Sequence, residues 1–493
     1  MRKLYLTFFV FYSLFCAAQQ PDSTVVFKKR VLETTEVDLL GSYYKQDGIH
    51  SSVGGGTGME ELTDVASDIV IAIPLNDDDV LTIDAGFSAY TSASSGNINP
   101  FFTDASYTNG NSGASSRYKA PTSSLTKRDD DDDYETATPA PYGSPWIAST
   151  GASRKDVLTT VSVAYSHSSD DRNTIFNVNA SGSREYDYES MGAGVGITKL
   201  FNDKNTEVGA KATAFFDKWK PIYPTELHEY SKYGMNFLNN GYFEGVTVYD
   251  QLGNETRNYL PSAFKEFANK KRNSYALSFT VTQILTKRLQ AAFLLDVLYQ
   301  EGLLSTPYHR MYFADKANYY IGQSRYIPVY IQRSNQGVFR LADDVERLPS
   351  TRFKLPLGMR LNYYVSDRVV LRTYYRYYTD NWGLQSHTAS VELPVKLGAF
   401  TLYPMYRFYT QQGVKYFAPH DKHFSYEKYY TSDYDLSSFD SHQYGMGSSY
   451  TDIFQRFKLA GLGLKSIDFR YNHYERSDSL EADIFTLGLK FVH

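Results

Sequence analysis

Apolar and polar residues alternate one by one along many stretches of this chain. In residues 352–364, RFKLPLGMRLNYY, every second residue from Phe353 to Tyr363 is apolar, and the alternate set contains three cations, Arg352, Lys354 and Arg360. A strand places two such sets on opposite faces, whereas a helix would scatter both around its surface. The same alternation recurs at 80–90, 206–218 and 369–378. Each segment is near the roughly 9 to 11 residues that a tilted membrane strand requires, so the pattern predicts membrane-spanning strands.

The connections between these segments differ systematically in length. Short polar turns are predicted at 74–79, 167–173, 201–205, 286–288, 365–368 and 397–400, and long excursions at 91–155, 219–272, 301–350 and 411–436. Short turns at one end and long loops at the other are typical of an outer-membrane barrel. We therefore predict an all-β fold, a transmembrane antiparallel up-and-down β-barrel of about 16 strands, with short periplasmic turns, long extracellular loops and both termini in the periplasm. Residues 437–466 fit either one strand with a longer turn or two strands.

Three prolines fall inside predicted strands: Pro356, Pro394 and Pro404. Proline has no N–H to donate to a neighbouring strand. We therefore expect β-bulges or shifted strand boundaries at these positions.

The last predicted strand, EADIFTLGLKFVH, ends the chain. It resembles the terminal-strand signal read by the barrel-assembly machinery, in which a glycine precedes apolar residues and a near-terminal aromatic residue. Gly488, Leu489 and Phe491 match that signal, whereas Val492 and His493 extend beyond the usual end. The assembly machinery is accordingly a predicted partner.

Composition fits a barrel better than a soluble globular protein of 493 residues. Aromatic residues make up 16% of the chain, yet the mean hydropathy of -0.42 is that of a soluble protein. Thin lipid-facing stripes with aromatic girdles, combined with a polar lumen and polar loops, reconcile the two values. The formal net charge of -5 argues against a nucleic-acid partner.

The N-terminus has the layout of a secretory signal peptide. Arg2 and Lys3 precede an apolar run, and small residues follow up to Ala18, where cleavage is predicted. The predicted organisation is a signal peptide (1–18), a periplasmic segment (19–35) and the barrel (36–493). Cys16 is the single cysteine, and Phe15 before it disfavours lipidation. The mature chain would then contain no disulfide and no thiolate site.

Several stretches resemble a known family. GSYYKQDGIHSSVGGGTGMEELTDVASDIVIAIPL, KPIYP, FDSHQYGMG and IDFRYNHYERSDSLEADIFTLGLKF are similar to a family of predicted outer-membrane barrels from Bacteroidota that is catalogued only as a domain of unknown function. The resemblance covers most of residues 36–493 and implies the barrel fold and outer-membrane location. It also implies a role in an envelope redox system, and it supplies no catalytic residues.

If the apolar set faces lipid, the alternate set lines the lumen, and its charges are segregated. The early strands carry a predicted acidic wall: Asp38, Asp64, Asp68, Asp84, Asp156, Glu207 and Asp296. The later strands carry a predicted basic wall: Arg352, Lys354, Arg360, Arg372, Arg376, Arg407, Arg470 and Lys490. Lys211, Glu392 and Asp468 run against this trend. Across a water-filled channel such walls create a transverse field that favours charged or zwitterionic solutes. The alternative, in which the walls touch, pair their charges and plug the barrel, remains open.

Other candidate sites are weaker. The run Asp129, Asp130, Asp131, Asp132 and Asp133 forms a possible cation-binding loop, but it lacks EF-hand spacing and a solvated loop is favoured. The glycines of VGGGTG (53–58) lack a P-loop lysine and predict a flexible surface loop. In APHDKHF, the group His420, Asp421 and His423 is interpreted as polar surface rather than a metal site. Ser166, His167, Ser168 and Asp170 crowd one predicted turn and are interpreted as turn formers rather than a catalytic triad.

The sequence therefore predicts a protein that is not an enzyme and needs no cofactor or metal. The favoured function is a passive porin-like channel or the membrane component of an envelope complex. Tyrosine-rich segments at 319–332 and 424–439 favour partner-binding loops or loops that pack on one another. One alternative is a plugged barrel that acts as a scaffold for surface lipoproteins, and another is an outer-membrane enzyme with a loop-borne site. Expected partners are outer-membrane lipid and a surface or periplasmic lipoprotein.

Overall fold

The computed structural model describes residues 30–91, 155–331, 337–459 and 461–493, without the side chains of Thr91, Lys155 and Asp156. The predicted signal peptide and the aspartate run 129–133 lie outside these residues. Within them, no helix has both the length and the apolar character needed to cross a membrane.

The long strands pair in chain order. The first eight are β1 (Glu36–Asp47), β2 (Leu62–Pro74), β3 (Asp79–Thr91), β4 (Lys155–Ser168), β5 (Thr174–Arg184), β6 (Tyr188–Phe201), β7 (Thr206–Trp219) and β8 (Lys271–Thr286). The others are β9 (Leu289–Gly302), β10 (Thr351–Ser366), β11 (Val369–Asp380), β12 (Gln385–Glu392 and Val395–Leu397), β13 (Phe400–Gln412), β14 (Phe439–Thr451), β15 (Leu462–Arg476) and β16 (Glu481–Val492).

The first and last strands close the sheet into a barrel. They pair antiparallel from Glu36 opposite Val492 to Asp47 opposite Glu481. The result is a closed 16-stranded antiparallel β-barrel, which confirms the predicted fold class. All six predicted short turns join consecutive strands at one end of the barrel. Because β14 ends at Thr451 and β15 begins at Leu462, residues 437–466 contain one long strand, a longer turn and the start of the next strand, and the two-residue strand Lys458–Leu459 in this turn pairs with the start of β15.

The two faces of each strand differ as the alternation predicts. On β10, Phe353, Leu357 and Tyr363 share one face and remain exposed although they are large and apolar. Arg352 and Arg360 belong to the other face, which carries the ion pairs described below. Exposed apolar side chains are stable against lipid, so we assign the first face to the membrane and the second to the lumen.

The three strand prolines do not cause the expected bulges. Pro356 stays inside β10 without a register shift, and the pairing of β9 with β10 is simply interrupted between Leu295 and Leu298. Pro394 divides β12 into its two segments, while Pro404 stays inside β13 opposite Met446. The ladder therefore keeps its register at all three prolines and loses pairing only on one side of Pro356 and around Pro394, because a missing N–H removes one hydrogen bond without inserting a residue.

Among the described residues, four long loops lie at the other end of the barrel and pack together, the third of them without residues 332–336. They are loop A (48–61), loop B (220–270), loop C (303–350) and loop D (413–438). Loop B contains the helix α1 (Thr225–Tyr233), and a small three-stranded sheet joins Tyr249–Asp250 of loop B to Tyr319–Gly322 and Val338–Arg340 of loop C. Apolar clusters, rich in Tyr and Phe, fill the space between loops. We call these four packed loops the cap.

Candidate functional site: the lumen walls and the cap

Opposite charges face each other at mid-depth in the lumen. Asp68 and Asp84 lie near the middle of β2 and β3, while Arg360 and Arg376 lie near the middle of β10 and β11. In a ring of sixteen strands, β2 and β3 are half a circumference from β10 and β11. Asp296 on β9 and Arg407 on β13 lie at similar depth. Asp68 and Asp84 thus lie across the ring from Arg360 and Arg376, whereas Asp296 lies on the strand next to Arg360.

The basic wall is partly neutralised, always by carboxylates on the same or the adjacent strand. Arg352 pairs with Asp380 at 2.5 Å, Arg372 with Glu392 at 2.7 Å, Arg470 with Asp468 at 2.9 Å and Lys490 with Asp38 at 3.3 Å. The last pair spans the seam between β16 and β1, and it is the one place where the described residues of the two predicted walls form an ion pair.

The remaining wall charges have no ionic partner among the described residues. On the basic side these are Lys354, Arg360, Arg376 and Arg407, and on the acidic side Asp64, Asp68, Asp84, Glu207 and Asp296. Asp64 accepts a hydrogen bond from the Ser88 hydroxyl at 2.7 Å, and Arg360 lies over the Tyr374 ring at 5.7 Å. The side chain of Asp156 is outside the described part of the chain. Among the described residues, the two walls therefore form an ion pair only at the seam between β16 and β1.

The cap crosses the mouth of the barrel. Loop A leaves between β1 and β2 and loop C between β9 and β10, which are half a circumference apart. Even so, the Ser52 hydroxyl lies 3.1 Å from Nε2 of His309. A Cβ atom placed on Gly55 would lie 2.8 Å from the Tyr312 ring, so the two loops touch at van der Waals distance. Contacts between opposite sides of the ring close the mouth over its centre.

Buried charges fix loop B to loop C. The Arg310 guanidinium donates to both carboxylate oxygens of Glu226, at 2.8 and 3.3 Å, and the two side chains are 1% and 0% exposed. The N–H of Ala342 also donates to Glu226, at 3.3 Å. Removing one partner of a buried pair typically costs about 3–5 kcal/mol, because the other charge stays buried without a counterion. The pair therefore specifies how these loops dock.

A second ion pair fixes loop C to loop D. Arg340 donates to both carboxylate oxygens of Asp421, at 2.5 and 2.6 Å, and lies over the Tyr312 ring at 4.5 Å. Burial alone would raise the pKa of Asp421, but the guanidinium outweighs it and lowers that pKa below its usual value. The prediction of polar surface is wrong for this segment, since His423 is 3% exposed. Its ring contacts Glu427 and Thr431 instead of His420.

The glycine-rich loop A is also buried, which corrects the prediction of a flexible surface loop. Ser51 is 1% and Val53 6% exposed. His50 stacks on the Tyr434 ring with centroids 3.6 Å apart, and Nδ1 of His420 lies 3.1 Å from the carbonyl oxygen of Gly55. Gly55 has φ of +74°, a conformation that glycine adopts without strain. The glycines therefore allow close packing under loops C and D.

A family model matches most of the chain. The family model described as protein of unknown function (DUF3570) matches residues 77–487. The chain belongs to this family. A closed antiparallel barrel with an apolar outer face is the architecture of outer-membrane proteins of Gram-negative bacteria. The Bacteroidota origin and the periplasmic position of the termini stay predictions.

Solved structures similar to this DUF3570 chain are outer-membrane proteins. "Bacterial polysaccharide outer membrane secretin" shares 9% identity with a TM-score of 0.38, covering 94% of this chain and 99% of that one. OccK9 (OpdG) of Pseudomonas aeruginosa shares 7% identity with a TM-score of 0.35, covering 93% and 98%. A BenF-like porin from Pseudomonas fluorescens Pf-5 gives the same identity, TM-score and coverage. No curated protein matches the chain significantly.

Most residues that hold the cap of this DUF3570 barrel together carry no recognisable signal in the sequence. Glu226 and Arg310 are 84 residues apart, and Ser52 and His309 are 257 residues apart. Glu226, Arg310 and His309 occur in polar, tyrosine-containing loops, and Ser52 occurs in the glycine-rich loop A, none of them within a recognisable motif. The concentration of tyrosine in 319–332 and 424–439 is a signal for the cap, because it favours loop packing as one of two alternatives.

Proposed function

We propose that this protein is a non-catalytic, porin-like channel of the outer membrane whose lumen selects charged or zwitterionic solutes and whose cap restricts entry. The observation that carries the proposal is the belt of charges at mid-depth. Asp68 and Asp84 on one side and Arg360 and Arg376 on the other lack ionic partners among the described residues. Unpaired charges of opposite sign across a channel orient dipolar solutes and raise the local concentration of charged ones.

Ion selectivity tests this role of the basic wall. The double substitution Arg360→Glu and Arg376→Glu reverses two unpaired lumen charges. Arg288→Glu with Arg368→Glu is the matched control, because it reverses the same charge at two exposed turns at the barrel rim. The measurement is the reversal potential of the purified proteins in planar bilayers under a KCl gradient.

We expect the lumen variant to shift selectivity towards cations and the control to remain close to the unaltered protein. Equal reversal potentials for all three proteins would refute the proposed transverse field across the lumen. The absence of current from all of them at every voltage would refute the proposed channel. The second outcome would support the alternative scaffold with a plugged barrel, which the closure of the mouth by the cap also favours.

We also propose which partners contact the outer face, the last strand and the loops of the barrel. The apolar outer face would contact outer-membrane lipid, with the termini and short turns in the periplasm. Gly488, Leu489 and Phe491 on β16 would be read by the barrel-assembly machinery. Exposed aromatic side chains on loop D, such as Tyr426 at 79% exposure, offer a contact for a lipoprotein partner. Co-purification in mild detergent, with Tyr426→Ser as the variant, tests this contact.

A further inference from the structure

Loops A, C and D meet at a cluster formed by His309 and Glu346 of loop C and Asp433 of loop D. Nδ1 of His309 lies 3.8 Å from Oε1 of Glu346 and 4.0 Å from Oδ2 of Asp433. One donor atom from each of the three residues lies within 4.8 Å of the others. The N–H of Glu346 donates to the carbonyl oxygen of His309 at 2.9 Å, which holds these two residues in register.

The His309 ring nitrogen that faces the carboxylates is unsatisfied. Nδ1 is buried and has no hydrogen-bond partner, because 3.8 Å is too long for one. Nε2 lies 3.1 Å from the Ser52 hydroxyl. If Nε2 carries the proton and donates it to Ser52, the lone pair of Nδ1 points at the two carboxylates. In that tautomer Nδ1 can bind a metal ion, while the hydrogen bond from Nε2 to Ser52 fixes the orientation of the ring.

The two carboxylates are also held in place. The Thr431 hydroxyl donates to Oε1 of Glu346 at 2.6 Å and accepts from the N–H of Asp433 at 3.0 Å, so one side chain orients both residues. Oε2 of Glu346 accepts from the N–H of Thr306 at 2.8 Å. Oδ1 of Asp433 accepts from the N–H of Asp435 at 3.0 Å, which leaves Oδ2 as the oxygen nearer to His309. The Glu346 oxygen nearer to His309 is Oε1, which also accepts from Thr431.

The charge of the cluster is unbalanced. Glu346 is 2% exposed, and no Lys or Arg among the described residues lies within ion-pair distance of Glu346 or Asp433. Two carboxylates beside one imidazole leave net negative charge in a largely buried place. Buried charges are normally paired or coordinate a metal, so a divalent cation would balance this cluster.

We propose that His309, Glu346 and Asp433 bind a first-row divalent metal ion, with Zn²⁺ the best match, and that the ion ties loops C and D together while Ser52 links loop A to it. Zn²⁺ accepts imidazole nitrogen and carboxylate oxygen at about 2.0–2.2 Å, so small movements of the three donors complete the site. Ca²⁺ prefers six to eight oxygen ligands, which this set does not supply. The proposal does not depend on channel activity.

Metal binding to the tag-free, folded protein in detergent tests the site. After treatment with EDTA and dialysis, Zn²⁺ is titrated calorimetrically into the unaltered protein, His309→Gln and Asp433→Asn. His423→Gln is the matched control, because His423 is another buried cap histidine beside a carboxylate, Glu427, at 2.6 Å. Circular dichroism checks that each barrel is folded. Visible absorption of Co²⁺ added to the unaltered protein gives a measurement that needs no variant.

We expect one Zn²⁺ per chain in the unaltered protein and in His423→Gln, with affinity lower by at least about tenfold in His309→Gln and Asp433→Asn. Zn²⁺ should slow tryptic cleavage of loop D at Lys422 and Lys428 in the unaltered protein. It should not slow this cleavage in His309→Gln or Asp433→Asn. Absence of Zn²⁺ binding and of a Co²⁺ band in the unaltered protein would overturn the proposal. Equal binding by all four proteins, or equal affinity for Ca²⁺ and Zn²⁺, would overturn it as well.

Discussion

At the scale of single residues, the cap is held by charged groups that have lost most of their contact with water. Asp343 of loop C accepts a hydrogen bond from the N–H of Phe313 at 2.9 Å. Burial raises the pKa of its carboxyl to about 7, although that N–H and the nearby Arg340 oppose the shift. Because the pKa is higher in the folded cap than the ordinary value near 3.9, the carboxyl stabilises the cap when protonated. This contribution is lost as pH rises through about 7.

We therefore expect the cap to open more readily at pH 8.5 than at pH 6, and Asp343→Asn to remove most of that difference because the amide does not ionise. The measurement is hydrogen-exchange protection of residues 311–313 and 341–345, corrected for intrinsic exchange rates. Asp315→Asn is the control, since a hydrogen bond from Ser425 lowers the pKa of this exposed carboxyl and places its titration in acid. If protection changes equally with pH in all three proteins, the pH dependence of the cap does not come from the Asp343 carboxyl.

At the scale of elements, the alternation of apolar and polar residues determines the strands. The turns and the docking of loop A depend on the backbone conformation that glycine allows and on what packs against it. Gly55 has φ of +74° and lies against Tyr312 and the Arg310 carbonyl oxygen. Gly398, in the β12–β13 turn, has a similar φ of +65° and nothing within 4 Å of an added Cβ. The two glycines share a backbone conformation and differ in what surrounds them, so they separate backbone strain from close packing.

Gly55→Ala should release loop A from the cap, because the methyl group meets the Tyr312 ring at 2.8 Å in addition to the backbone penalty of roughly 1–2 kcal/mol. Gly398→Ala carries the backbone penalty alone and should leave loop A docked. Hydrogen exchange of residues 48–61 distinguishes the two, with faster exchange expected only in Gly55→Ala. Unchanged protection in that variant would show that loop A does not depend on this contact.

At the scale of the whole molecule, the barrel and the cap are two structures with different sources of stability. The barrel is held by continuous strand pairing closed from β16 to β1, whereas the cap is held by small aromatic clusters and buried ion pairs between loops. Glu301 and Thr351 lie opposite each other where loop C begins and ends. A short turn can therefore replace loop C without disturbing β9 or β10.

Replacement of residues 303–350 by an Asn-Gly turn should open the mouth and give a larger, steadier conductance in planar bilayers than the unaltered protein. The reason is that loop C supplies the contacts to loops A, B and D. Circular dichroism and thermal unfolding verify that the barrel is retained. If the shortened barrel conducts no better than the unaltered protein, the barrier to passage is not the cap.

The sequence by itself determined the barrel: period-two alternation and the alternation of short turns with long loops indicated about 16 strands, the two faces of each strand and the positions of the connections, while residues 437–466 stayed open. These are local features, because each strand's pattern reflects which face meets lipid. Tertiary structure alone decided that loop A is buried, that His420, Asp421 and His423 make three different contacts, and that His309, Glu346 and Asp433 converge. Those contacts join loops that are distant in the chain. These loops meet over the mouth of the barrel only because the sheet closes into a ring.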